Sequence, residues 1–199
     1  MKKASAPKPR GKRRLRAQRR EHVAHHEAGH YVAAYFDAMH DSIFRVTIAP
    51  SSGVAGRNTG EHPLGEEWSA REAHQVVVGL YAGYAAEVRF DPSREREARL
   101  CASSDDEIAD ALLRSICKAR TERWEWEQLS RSRAAAVIVE HWHAVTALAR
   151  ELLDRTTLEG DEAAWIVAIA EGKRAKRNLD EYRRRRAVAL GPLRVGPRT

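Results

Sequence analysis

The stretch His26-Glu27-Ala28-Gly29-His30 decides how the rest of the chain is interpreted, because it spells the H-E-x-x-H pattern of zinc peptidases. Residues four apart lie on one face of an α-helix, so His26 and His30 can present two imidazoles to one ion. Glu27 can then reach a metal-bound water without being a ligand itself. A catalytic zinc site needs a third protein ligand, which must come from elsewhere in the chain.

The residues around the motif are apolar enough to bury it. Val23-Ala24 precede it and residues 31–36, Tyr-Val-Ala-Ala-Tyr-Phe, follow it. This pattern predicts a buried helix from Glu21 to Ala38. Two histidines on a buried helix face indicate a metal, whereas the alternative is an exposed face that carries them by chance.

Charge divides the chain into three parts. Residues 1–20 contain ten Lys or Arg and no acid, and residues 173–199 contain ten Lys or Arg with two acids. Residues 22–172 contain 15 basic and 25 acidic residues. We therefore predict a disordered basic arm at 1–21, a folded domain at 22–172 and a basic tail at 173–199. The arm and the tail could bind nucleic acid or an anionic lipid surface, or could serve as solubilising extensions without a partner.

The remaining composition predicts a soluble, cytoplasmic protein. The two cysteines, Cys101 and Cys117, form no C-x-x-C pair and no disulfide framework. The basic N-terminal stretch is not followed by the apolar segment of a secretory signal. The longest nearly continuous apolar run, residues 76–86, is too short to span a bilayer.

The hydrophobic pattern favours a mainly α fold with a small β element. The β-branched residues of 42–50 predict one strand, residues 56–60 read as a turn, and residues 91–102 read as a polar loop. Capping boxes at Ser69–Glu72 and Ser104–Glu107 predict two helix starts, the first helix running to Val88. Further helices are expected over 132–155 and 161–170.

The sequence offers two places for the third zinc ligand. One is Glu87, near the end of a predicted helix, and the other is an acid within Asp105-Asp106-Glu107. Spacing alone does not choose between them. Acids in the first turn of a helix also favour the helix dipole and need no metal.

Five segments, in order, resemble the peptidase domain of FtsH, a family of ATP-dependent membrane zinc proteases. HEAGH at 26–30 is the family's form of the motif, and residues 45–50, RVTIAP, resemble the strand after it. AGYAAE at 82–87 and CASSD at 101–105 resemble the family's G-G-R-A-A-E and G-A-S-N-D segments. The stretch from Ala147 to Gly160 resembles the family's closing A-x-x-L-L-x-x-E-T-L-x-G pattern.

The resemblance implies a role for each matched position. The family's pattern places zinc on His26, His30 and Asp105, with Glu27 as general base and Glu87 orienting a histidine. Asp106 stands where the family usually has Leu. The resemblance also implies the helical, zincin-like peptidase-domain fold of that family.

The implied function is zinc-dependent hydrolysis of peptide bonds in peptides or unfolded polypeptides. The sequence contains no G-x-x-x-x-G-K-[ST] phosphate loop, so we expect a stand-alone peptidase domain without the ATPase, supplied by a separate unfoldase or adaptor. An extended substrate is expected to pair with a free edge of the strand at Val46, Thr47 and Ile48. The alternative is a catalytically weak or inactive zinc-binding interaction module whose basic tails bind nucleic acid or anionic surfaces.

Overall fold

The fold is mainly helical, as the sequence predicts. The structure is a computed structural model that describes residues 10–36, 43–50, 57–60 and 69–190. Within these ranges the helices are α1 (Arg10–Phe36), α2 (Ala70–Phe90), α3 (Glu95–Cys101), α4 (Ser103–Ile116), α5 (Arg120–Glu140), α6 (Trp142–Arg155), α7 (Gly160–Ala170) and α8 (Lys176–Leu190). The strands are β1 (Ile43–Thr47), β2 (Arg57–Gly60) and β3 (Thr157–Glu159). In the described residues, no helix combines the length and the apolar character that crossing a membrane requires.

The close crossing of α1 and α2 organises the fold. A Cβ atom built on Gly29 would lie 2.6 Å from the carbonyl oxygen of Ala82 and 2.7 Å from the Cβ of Ala86. Glycine on one helix and alanines on the other therefore let the two backbones approach to contact distance. This explains why the residue before His30 is glycine and why α2 carries a run of small residues.

The core surrounds this helix pair, with α6 and α7 packed on α1 and with α4 and α5 packed on α2. The phenol of Tyr31, which is completely buried, donates a 2.6 Å hydrogen bond to the carbonyl of Gly160 at the start of α7. The largest fully buried side chains are Tyr31, Leu113, Ile138, Leu148, Leu152, Leu158, Val32, Val46, Val77, Val78, Val137 and Val145. Burial of these side chains, at about 1.5–3 kcal/mol each, is the main favourable contribution to folding.

A small antiparallel sheet lies in the order β2-β1-β3. Val46 of β1 pairs with Asn58 on one side and with Leu158 on the other. The prediction of a turn at 56–60 is therefore wrong for 57–60, because those residues form β2. Sequence pattern missed β2 and β3 because four and three residues are too short to show an alternation.

The first helix begins earlier than predicted. It starts at Arg10 rather than Glu21, so residues 10–20 are helical and not an unstructured arm. Arg, Lys, Ala, Leu and Gln have high helix propensity, so a helix that includes the buried segment can extend through residues 10–20. Residues 1–9 and 191–199 of the predicted arm and tail lie outside the described residues.

Two predicted boundaries near α3 and α4 are wrong. Residues 91–102 were expected to form a loop, but they contain a 3₁₀ turn at Pro92–Arg94 and the helix α3. The capping box expected at Ser104 does not form, since α4 starts at Ser103 and its N-cap, Ala102, makes no side-chain cap bond. By contrast, the capping box of Ser69 and Glu72 is present at the start of α2, as predicted.

The C-terminal half also differs from the prediction. The helix expected at 132–155 is two helices, α5 and α6, separated at His141, and α5 begins at Arg120. No glycine or proline marks this break, so the sequence gives no signal for it. Residues 176–190, assigned to a basic tail, form α8, whose Leu179 is buried against the rest of the fold.

Candidate metal centre

Helix α1 brings the two imidazoles of the motif into edge contact. His26 and His30 are one helical turn apart, and their rings are nearly perpendicular, at 87°. Their Nε2 atoms lie 2.9 Å from each other. Both side chains are mostly buried, at 10% and 14% exposed. The two nitrogens therefore point at one common position.

The groups on the opposite ring edges indicate which nitrogen carries a proton. His30 Nδ1 donates to the carbonyl of Gly79 at 2.8 Å, and a carbonyl can only accept. His26 Nδ1 lies 3.2 Å from Oε1 of Glu87, a buried carboxylate. In the neutral imidazoles these contacts leave both Nε2 lone pairs directed at the common position. Glu87 thus lies on the far side of His26, where it can orient the ring.

Helix α4 supplies the third atom. Oδ2 of Asp105 lies 3.1 Å from His26 Nε2 and 3.5 Å from His30 Nε2. Ligand atoms bound tetrahedrally at about 2.0–2.1 Å from a zinc ion stand about 3.3 Å apart. The three separations of 2.9, 3.1 and 3.5 Å bracket that value. Among the described residues, these three form the one group of histidine, cysteine and acid side chains whose spacing could hold a metal ion.

The two neighbouring acids of α4 have different partners. Asp105 faces the histidines, whereas Oδ1 of Asp106 pairs with Nη2 of Arg131 at 2.9 Å. Of the acids that the sequence left open as third ligands, Asp105 is the one that the structure brings to the histidines. Glu87 is held at the other edge of His26 by its position on α2.

Gly83 of α2 forms the floor beneath the imidazoles. A Cβ atom there would lie 2.6 Å from both Cε1 and Nε2 of His30 and 2.9 Å from Cε1 of His26. Real Cβ atoms do not make such contacts, so any side chain at this position would displace the rings. The absence of a side chain at Gly83 is therefore a requirement of the paired histidines.

Charge at the centre favours a cation. Burial opposes protonation of His26, but its hydrogen bonds to Asp105 and Glu87 raise its pKa to about 10. The pKa of His30 is also raised, because the Asp105 carboxylate outweighs burial and the neighbouring His26. Glu27, 5% exposed, adds to the raised pKa of both histidines. Although burial acts in the opposite direction, the two histidines lower the pKa of Asp105.

The chain is similar to a zinc protease. It is 27% identical to the ATP-dependent zinc metalloprotease FtsH of Acidimicrobium ferrooxidans over 193 aligned positions, which cover 79% of this chain and 29% of the relative. The chain thus spans less than a third of that relative's length. No family model matches it. At this identity the comparison points to an FtsH-related protein and no further.

The strand proposed to bind substrate does not have a free edge. Val46 and Thr47 lie in β1, which is the central strand and pairs with β2 and β3. The amide of Ile48 donates to the carbonyl of Thr156 at 2.9 Å, and the side chains of Val46 and Ile48 are buried. The prediction that Val46, Thr47 and Ile48 pair with substrate is therefore wrong, because their backbone bonds are already made. An extended peptide would have to use an outer strand of the sheet.

His25, next to the candidate ligand His26, has structural partners. The ring of His25 stacks on Phe90, with centroids 3.8 Å apart, and its Nδ1 donates to the carbonyl of Glu21. Burial lowers the pKa of His25, which favours its neutral form. Trp142 stacks on the same histidine at 5.6 Å. His25 therefore packs α1 against α2 and α6, although it adjoins a candidate ligand in sequence.

Sequence reasoning missed Gly79, Gly83 and Arg131. The carbonyl of Gly79 is a backbone group, so no side-chain pattern could reveal it. Gly83 lies within the segment that resembles the family, but its sequence context does not show that it faces the imidazoles. Arg131 lies on α5, far along the chain from Asp106, and an isolated arginine carries no signal of its partner.

Proposed function

We propose that the chain is a zinc-dependent metalloendopeptidase that hydrolyses peptide bonds in peptides or unfolded polypeptides. One observation carries the proposal. Nε2 of His26, Nε2 of His30 and Oδ2 of Asp105 lie close enough together to hold one metal ion. The buried carboxylate of Glu27 is near enough to raise the pKa of both histidines. The similarity to an FtsH zinc metalloprotease supports the same chemistry.

The donor set fits zinc, which prefers imidazole nitrogen and carboxylate oxygen and needs three protein ligands in a catalytic site. His26, His30 and Asp105 would hold the ion, and Glu87 and the carbonyl of Gly79 would orient the two imidazoles. When bound, zinc supplies a Lewis acid that polarises a carbonyl and lowers the pKa of water.

The proton transfers belong to Glu27. Its carboxylate accepts a proton from the attacking water as the new C–O bond forms at the peptide carbonyl. It then returns the proton to the nitrogen of the breaking C–N bond, so that the amine leaves neutral.

Proteolysis by this chain would not require ATP. Its substrates would be peptides or segments that are already unfolded, or polypeptides supplied by a separate unfoldase or adaptor. Main-chain recognition along an outer strand of the sheet would give broad specificity. Cleavage at a single residue type would contradict that mode of binding.

Metal content and cleavage together test the proposal. Purified protein should contain about one zinc per chain and cleave an unfolded protein such as casein, and a zinc chelator should abolish cleavage. Asp105→Ala should bind zinc much more weakly and lose the activity, whereas Asp106→Ala should retain measurable zinc. Zinc binding without cleavage of any unfolded polypeptide would instead favour an inactive zinc-binding interaction module.

A further inference from the structure

We propose that Arg131 is a positioning residue for the third metal ligand. It fixes the first turn of α4 against α2 by pairing with Asp106 and covering Tyr81, so that the adjacent Asp105 faces the histidines. The inference rests on the proposed function, because it assigns a role at the same metal centre.

The ion pair joins α5 to the start of α4. Nη2 of Arg131 lies 2.9 Å from Oδ1 of Asp106, while Nε lies 3.0 Å from Oε1 of Glu127 on the same helix as the arginine. The arginine is 30% exposed and Asp106 is 33% exposed. Glu127 thus holds the guanidinium in place, and the guanidinium holds the acid next to the candidate ligand.

The guanidinium also rests on α2. Its Cζ atom lies 3.9 Å from the centroid of the Tyr81 ring, a distance typical of a strong cation–π contact. Tyr81 is 3% exposed and stands two residues before Gly83, which supports both imidazoles. Arg131 therefore connects the helix that carries Asp105 to the helix that forms the floor of the centre.

Within the described part of the chain, the strongest packing of α4 lies beyond its first turn. The fully buried side chains of this helix, Ala109 and Leu113, belong to its second and third turns. Its N-cap, Ala102, makes no side-chain hydrogen bond. Ala102 itself is buried, and the Asp106–Arg131 pair is the side-chain ion pair that joins the first turn of α4 to α5. Groups behind the ligands commonly influence metal affinity in this way.

The experiment measures zinc affinity by competition with a chromophoric chelator. Arg131→Gln, which keeps most of the side-chain length and removes the charge, should weaken zinc binding about 10- to 100-fold. Arg131→Lys should recover part of the loss, since it restores the charge without the planar fork. Asp106→Asn, a nearly isosteric change at a partly exposed site, should reproduce the loss if Arg131→Gln fails to fold. Cobalt-substituted protein should show an altered visible spectrum in the same variants.

The matched control is Arg114→Gln, because Arg114 also pairs with an acid of α4, Asp110, but at the far end of the helix and in solvent. It should bind zinc like the wild type. In the Asp105→Ala background, Arg131→Gln should cause no further loss of the residual affinity, since Arg131 acts through Asp105. An equal loss in both backgrounds would indicate a general effect on folding and would overturn the inference.

The two proposals fail differently. A wild-type protein that binds zinc, with Arg131→Gln matching it in affinity and in cobalt spectrum, would overturn the positioning role alone. A wild-type protein that binds no zinc would overturn the proposed function and the positioning role with it.

Discussion

At the scale of single residues, the hydrogen bond from His30 Nδ1 to the carbonyl of Gly79 has the largest consequence. It fixes the tautomer, so that Nε2 of the neutral ring is an acceptor. The Glu87 carboxylate, 3.2 Å from His26 Nδ1, favours the same state in His26. Two lone pairs and a carboxylate at 2.9–3.5 Å repel one another unless a proton or a metal ion lies between them. The backbone and a buried acid thereby create a site for a cation.

Glu27→Gln separates metal binding from catalysis. The amide cannot accept the proton of the attacking water, so cleavage of an unfolded polypeptide should fall by about 10²- to 10⁴-fold. The ligands are untouched, so zinc content measured by elemental analysis should equal that of the wild type. Loss of the metal, or cleavage at the wild-type rate, would contradict the role assigned to Glu27.

Zinc affinity should rise with pH. Although burial opposes it, Asp105 and Glu87 raise the pKa of His26 to about 10, so near neutral pH a proton competes with the metal. If zinc must displace one proton, its apparent affinity should fall about tenfold for every pH unit below that pKa. Titrations with a competing chelator between about pH 6 and pH 9 would measure this slope, and an affinity independent of pH would contradict it.

The metal-free protein should show the opposite trend. A histidine whose pKa is raised on folding contributes stability that is complete below about pH 6.5, the value for an unperturbed histidine. That contribution is lost as the pH rises through about 10. Urea unfolding of chelator-treated protein at several pH values would detect this decline.

At the scale of secondary-structure elements, the crossing of α1 and α2 determines where the imidazoles can sit. Gly29 allows the backbones to touch, and Gly83 leaves room for both rings. Gly79 lies one turn earlier on α2 and has no atom within 4 Å of a Cβ built on it. Two glycines of the same helix therefore differ completely in what an added methyl group would meet.

Gly83→Ala and Gly79→Ala form a matched pair. The methyl group at position 83 would overlap the His30 ring, so zinc affinity and cleavage should fall at least about tenfold. The methyl group at position 79 enters free space and raises helix propensity, so it should stabilise the protein by about 0.5–1 kcal/mol with zinc affinity unchanged. Equal effects of the two substitutions on zinc affinity would contradict the requirement for glycine at position 83.

At the scale of the whole molecule, the centre joins parts of the chain that are distant in sequence. The candidate ligands lie on α1 and α4, and the groups that orient the histidines lie on α2. A ligand that binds only the folded chain stabilises it by mass action, by about 2.7 kcal/mol at 100 times its Kd. Zinc binding at this centre would therefore stabilise the folded domain.

Added zinc should raise the melting temperature. For a chain of this size, each kcal/mol corresponds to about 2–4 °C. Calorimetry of metal-stripped protein with increasing zinc should show this rise, and Asp105→Ala should reduce it strongly. A melting temperature that does not respond to zinc would contradict a folded-state metal site.

The basic regions supply a separate prediction about polyanions. Lys176, Arg177 and Arg184 of α8 are exposed. If this face binds duplex DNA, log affinity should fall steeply with log salt concentration. Replacing the three with Gln should reduce that slope by about one for each phosphate that is no longer neutralised, whereas Arg114→Gln should not change it. An unchanged slope would leave the basic regions as solubilising extensions.

The sequence by itself determined the helical class, the face that carries His26 and His30, and the acids available to complete a centre. These follow from local chemistry, since the 3.6-residue period places residues four apart on one face and a capping box marks where α2 begins. A helix that lacks a clear apolar face is harder to recognise from sequence. For that reason residues 10–20 and 176–190, which are helical, were assigned to tails.

Only the tertiary structure showed which of several adjacent or alternative residues face the candidate metal centre. It turned Asp105 to the histidines and Asp106 to Arg131, placed Glu87 behind His26, and made β1 a central strand without a free edge. Each of these depends on contacts between residues far apart in the chain. Such contacts are fixed by packing and by the pairing of backbone groups, which no local pattern of side chains records.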